Sequence, residues 1–168
     1  MTDVAVSIEG AQVTTDLLGS IAARVADTAP LAVALQRVFL DVEAERFDAE
    51  GPGWADLAPS TLAQKARKGY PSNILEATGA LKRSLTEAGA AGCIFLPMFG
   101  DATTSVTFGT DLRPPKPGKG WEGTALAAFH QLGTTRMPSR PVIDDNELLA
   151  VEWAGVLALW LASAEVPE

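Results

Sequence analysis

The stretch "DTAPLAVALQRVFLDVEAERF", Asp27 to Phe47, decides the fold class. Leu31, Leu35, Val38, Phe39, Val42 and Phe47 recur at steps of three and four, with Arg46 in the same row. That spacing predicts a long amphipathic helix near residues 30–47, its apolar stripe turned to a core. Arg37, Asp41, Glu43 and Glu45 are expected mainly off that stripe. Asp27 or Thr28 supplies the cap, and Pro30 suits the first turn. Upstream, the β-branched alternation of Val4–Ile8 predicts a strand. A helix is expected from Asp16, with Leu17, Leu18, Ile21 and Val25 on one side and Gly19 as its weak point. Downstream, Gly51-Pro52-Gly53 ends the unit in a loop. Ser60 or Thr61 is expected to cap a short helix that Gly69 stops. A further helical turn follows Thr78-Gly79, with Leu81 and Leu85 inside.

Cys93–Phe99 and Ser105–Gly109 are strand candidates joined at Gly100-Asp101, with Val106 and Phe108 on one face. A short helix is capped by Thr124 and stopped by Gly133. The last helix runs from Asp144 or Asp145 to about Ala164. Leu149, Trp153, Val156, Leu157 and Trp160 form its main stripe, and Leu148, Leu159 and Leu161 spread beyond it. A helix this apolar is expected to be buried on several faces, which in a small domain hints at a subunit contact. The elements compose an α+β fold: a small, mostly antiparallel sheet with packed helices, in one domain spanning residues 1–168.

The bulk numbers narrow the function. The chain has 168 residues, 47% of them hydrophobic, and a formal net charge of -8. Phosphate binding needs a basic face, so nucleic acid is not the default partner. A single cysteine and a single histidine can build neither a disulfide framework nor a zinc cage. No metal or cofactor is expected, and Cys93 reads as a buried small hydrophobe. "MTDVAVSIEG" lacks the basic start and apolar core of a signal peptide. The apolar run from Trp153 is too short to span a bilayer, so no membrane partner is expected. A soluble protein in a reducing compartment is expected.

Residues 110–123 hold three prolines, three glycines and the basic Arg113, Lys116 and Lys119. The segment is expected to be an exposed loop, either a linker or a partner-binding arm. His130 stands in "AFHQLGTTRMPSRPVI", Ala128 to Ile143. No nucleophile elbow, metalloprotease pair or phosphate loop accompanies it, so a structural hydrogen-bonding role is expected over catalysis. Arg140 is held in extended backbone by Pro141 and suits a planar fork, to a carboxylate or helix end of its own chain or to another subunit.

Three pieces in order carry a resemblance. Phe47, Glu50, Gly51, Trp54, Leu57, Thr61 and Lys65 form the first. Ile74, Leu75, Thr78, Gly79, Leu81 and Ser84 form the second. His130, Gln131, Gly133, Met137, Pro138, Arg140 and Pro141 form the third. Together they resemble the phage virion morphogenesis family, the Mu-type tail-completion proteins, over roughly residues 31–143. Leu126-Ala127 and Val142-Ile143-Asp144 depart from the family's Tyr-Ala and Phe-Leu-Gly. The resemblance implies a structural, non-enzymatic protein of tail completion or head–tail joining. It implies a homo-oligomeric ring on the tail axis, with a hexamer as the expected order. Partners would be the tail tube, the tail terminator or the head connector, with DNA only passing through a lumen. The location implied is the virion tail or neck, and the host cytoplasm during assembly. Trp54, Thr78, Gly79, His130, Gln131, Gly133, Pro138, Arg140 and Pro141 become motif residues of structure or interface. Arg113, Lys116, Lys119, Trp153, Leu157 and Trp160 are the candidate contacts. The alternatives are a virion-associated hydrolase using His130 and a monomeric adaptor.

Overall fold

The computed structural model describes residues 11–51, 53–100, 103–114, 125–143 and 147–162. Among these are six helices and one two-stranded sheet: α1 (Ala11–Ala26), α2 (Ala29–Asp48), α3 (Pro59–Lys68), α4 (Ala80–Thr86), β1 (Cys93–Phe99), β2 (Thr104–Thr110), α5 (Leu126–Leu132) and α6 (Glu147–Ala162). The fold is α+β. The strand expected at Val4–Ile8, Lys116, Lys119 and the caps expected at Thr124, Asp144 and Asp145 lie outside the described residues.

α2 is the organising element. Phe39 and Phe47 are buried, and they belong to a core with Trp54, Ile74, Leu81, Leu85, Val142 and Leu149. Burying each such side chain stabilises the fold by roughly 1.5–3 kcal/mol. One expectation fails here. Glu43, placed off the apolar stripe by its residue type, is fully buried and lies 3.3 Å from the equally enclosed Arg46. A buried carboxylate requires a charged or hydrogen-bonding neighbour, and the i, i+3 spacing places the guanidinium beside it.

The capping differs in detail. Asp27 Oδ1 accepts from Ala29 N at 3.1 Å, while Thr28 Oγ1 lies 2.9 Å from Thr104 Oγ1 and ties the start of α2 to the hairpin. α3 begins at Pro59 with Ala58 as its N-cap, so neither Ser60 nor Thr61 caps it; proline's fixed φ suffices at that position. Gly69 stops it at φ 67, as read from the sequence. α1 is already helical at Ala11, ahead of Asp16, and continues through Gly19.

β1 and β2 pair antiparallel, with Phe95 opposite Phe108 and Pro97 opposite Val106. Phe108 stacks on Phe39 (5.3 Å) and meets Trp153 (5.5 Å), so this face covers α2 and α6. Bonds from Gly100 N to Thr103 O and from Asp111 N to Gly92 O fix the hydrogen-bonding register. In that register Cys93, Phe95, Pro97 and Phe99 turn their backbone groups to the outer edge of β1. Cys93, expected to be buried, is only half-buried near the start of the sheet.

α6 packs on α2, where Trp153 Nε1 donates to Leu35 O at 3.2 Å. Trp160, a candidate subunit contact by sequence, is instead buried within the chain, 3% exposed. Nor is α6 covered on every side: Val151, Leu157 and Leu159 are exposed. No single helix among the described residues is long and apolar enough to cross a membrane.

Candidate functional site

The site is built from three segments far apart in sequence. The first follows α2. Gly51 has φ 71, and a Cβ there would stand 2.1 Å from Trp54 Cδ2, so the indole can lie against the turn only over glycine. Trp54 meets Phe47 edge-on at 5.6 Å. Its Nε1 donates to Pro141 O at 2.8 Å, which joins the first segment to the third.

Arg140 makes the same connection from the other side. It is buried; Nε donates to Ala55 O at 2.8 Å and Nη2 to Asp56 O at 3.0 Å. The planar fork is present, but its acceptors are consecutive backbone carbonyls just before α3 instead of a carboxylate. Gln131 locks the return of the chain. Its Oε1 accepts from Val142 N (3.0 Å) and Ile143 N (3.2 Å), and its Nε2 donates to Ile143 O (2.7 Å). Residues 134–137 form a tight turn with Thr134 N to Met137 O at 2.8 Å, and Ser139 Oγ donates to Gln131 O at 2.7 Å.

Gly133 makes that turn possible. It sits at φ 69, ψ -177, a region essentially confined to glycine, and an added Cβ would fall 2.7 Å from Ser139 N. Gly133→Ala is therefore expected to cost about 2–3 kcal/mol of stability. Chemical denaturation measures it; a loss below about 0.5 kcal/mol would mean that the turn is not held as described.

The second segment enters through Thr78 and Gly79. Gly79, at φ 72, is the N-cap of α4. Ser84 in α4 is fully buried; it donates to Leu81 O at 2.8 Å and accepts from Thr110 Oγ1 at 2.8 Å, tying α4 to β2. Lys82 bridges Asp48 (2.7 Å) and Glu76 (3.1 Å). Its hydrogen bond to Asp48 is the main cause holding its pKa above the ordinary lysine value. Leu75 adopts φ 58, a strained conformation for a branched side chain, and Lys65 Nζ donates to Asn73 O just before it.

Between these segments lies a groove of about 510 Å³. Leu57, Leu75, Leu81, Leu126 and Met137 provide its apolar lining, and Lys65, Lys68 and Arg136 its basic groups, with Asp56 and Glu76 as the acidic ones. Thr61, Thr78, Gly79, His130, Pro138 and Arg140 also line it, so all three segments contribute to one surface. Tyr70, Lys68 and Arg136 had no sequence signal: each stands alone, and only the folded chain brings them to the rim. Arg113, Trp153, Leu157 and Trp160 are not in the groove lining.

His130 departs from the expected hydrogen-bonding role at one ring nitrogen. Its carbonyl accepts from Arg140 N at 2.7 Å, but ring Nδ1 is buried and has no hydrogen-bond partner among the described residues. Burial, and secondarily the Arg140 guanidinium, lower its pKa to about 4. The imidazole is therefore neutral at neutral pH, while an unfolded chain takes up a proton near 6.5. The contribution is complete above about pH 6.5 and is lost as pH falls toward 4, because there only the unfolded chain binds the proton. The loss over that window is on the order of 3 kcal/mol. Subtracting the pH profile of His130→Gln from that of the wild type isolates it; identical profiles would exclude it.

No family model, no curated protein and no solved structure matches the chain. The geometry itself is what bears on function.

Proposed function

We propose that the chain is a structural protein of phage virion assembly, acting in tail completion or head–tail joining as a homo-oligomeric ring on the tail axis. The observation that supports this reading is the convergence of the three motif segments. Trp54 bonds to Pro141, Arg140 bonds to Ala55 and Asp56, and Lys65, Thr78, Gly79 and His130 line one groove. The residues that carry the resemblance thus form one unit, and Trp54, Gln131 and Arg140 direct their polar groups to backbone that shapes it. A rigid surface made in this way suits an assembly partner such as tail tube, tail terminator or head connector.

The test is electron microscopy of particles made without the chain. Complete heads and complete tails that fail to join, restored by the wild-type chain, are the expected result. Joined, infectious particles formed in its absence would end this reading.

A further inference from the structure

The groove between the three segments carries a charge opposite to that of the chain around it. Lys65, Lys68, Arg136 and Arg140 line it against Asp56 and Glu76, while the whole chain stands at -8. Glu76 is already held by Lys82 at 3.1 Å. The buried guanidinium of Arg140 donates to the carbonyls of Ala55 and Asp56, which satisfy its N–H groups without neutralising its charge. That charge reaches His130, where it adds to the larger effect of burial in lowering the pKa. Among the described residues no carboxylate lies within ion-pair distance of Lys65, Lys68, Arg136 or Arg140. Glu76 and Glu50 act on Lys65 only from farther off.

We infer that the groove takes a short, extended, acidic segment of a partner protein, with large apolar side chains next to aspartate or glutamate. None of the residues of α3 is buried, and Thr61, Lys65 and Lys68 recur at steps of four and three, so one face of the helix is turned to the groove. From Thr61 to Lys68 that wall runs about 10 Å, the length of roughly three residues of extended chain. Leu81 is buried in the lining and Leu57, Leu75 and Met137 are half-buried, while Lys68 and Arg136 are exposed. Successive side chains of an extended segment point to opposite sides. An apolar one can therefore enter the lining while its acidic neighbour stays with the cations. The cations come from separate segments, Lys65 and Lys68 from α3 and Arg136 from the turn at 134–137. A single headgroup answers one of these segments, and a chain with several carboxylates answers both. Nucleic acid fits less well, because the rest of the molecule repels it. This deepens the proposed function by giving the chemistry of the docking segment, and it rests on that reading only for the partner's place in a virion.

The experiment selects short random peptides, displayed on yeast, against the purified chain. Selected sequences are expected to be enriched in aspartate or glutamate beside leucine, isoleucine, methionine or phenylalanine. The leading sequence is then made as a free peptide and followed by fluorescence anisotropy. Replacing its acids by glutamine, or its apolar residues by serine, is expected to weaken binding about tenfold or more. Lys68→Glu/Arg136→Glu changes two exposed positions, so the wild-type circular dichroism spectrum is expected to remain. This variant is expected to lose the acidic peptide and to bind a lysine-substituted version better than the wild type does. A selection without acidic enrichment overturns the proposal, as does a variant that binds the acidic peptide like the wild type. Tighter binding of laurate or of a single-stranded oligonucleotide than of any selected peptide overturns it too. A peptide that dissociates an oligomer of the chain would put a second copy in the groove instead. Particle joining is read separately by microscopy. Normal joining by the double variant would end this inference alone, and joined particles without the chain would end the proposed function while leaving the peptide result standing.

Discussion

Arg140→Ala is expected to lower the free energy of unfolding by roughly 3–6 kcal/mol, the sum of two hydrogen bonds from a charged donor at roughly 1.5–3 kcal/mol each. The guanidinium is buried and spans Ala55 O and Asp56 O. Its removal leaves the Trp54 bond to Pro141 to hold the stretch before α3 to the stretch before α6, and opens one wall of the groove. Arg140→Lys is expected to recover less than half of the loss, because an ammonium cannot span two carbonyls held in the plane of a fork. Urea denaturation of the three proteins checks both statements. Full recovery by lysine would reduce the role of Arg140 to its charge.

Glu43→Ala is the second large effect, expected at roughly 3–5 kcal/mol, because it removes one member of a buried ion pair and leaves the other charge enclosed. Arg46 lies 3.3 Å from Glu43 and is itself buried. Replacing both by leucine is expected to regain more than half of the loss, since apolar side chains of similar volume avoid the desolvation of two ions. A single replacement costing under about 1 kcal/mol would show that water reaches the pair.

The parts of the fold legible in the sequence are those governed by local period. Phe39 and Phe47 fall on the helical stripe, and Leu81 and Leu85 share a side of α4. The alternation of Val106 and Phe108 gives the inner face of β2. Glu43 breaks that legibility because its position in the helix points inward while its chemistry argues outward, and only a neighbouring cation reconciles the two. Trp160 is legible as apolar but not as covered by its own chain, since that depends on how helices far apart in sequence pack. For the site, the motif residues were legible and their meeting was not. The bonds from Arg140 cross 85 and 84 positions of sequence, and no periodicity spans such a distance. The sequence implies a hydrogen-bonding role for His130, while its surroundings make the ring desolvated and neutral.

The register of the hairpin bears on how this surface avoids misuse. A ribbon of two uncharged strands, with no further strand on its rim among the described residues, is the type of template on which chains stack into fibres. Pro97 falls at one of the positions where β1 turns its backbone outward, and there it has no hydrogen to donate. Two molecules meeting rim to rim along β1 would find the donor row broken near its middle, so such a zipper cannot run the length of the strand. Contact through the broad face remains open, while sideways growth past β1 is interrupted by a single imino acid.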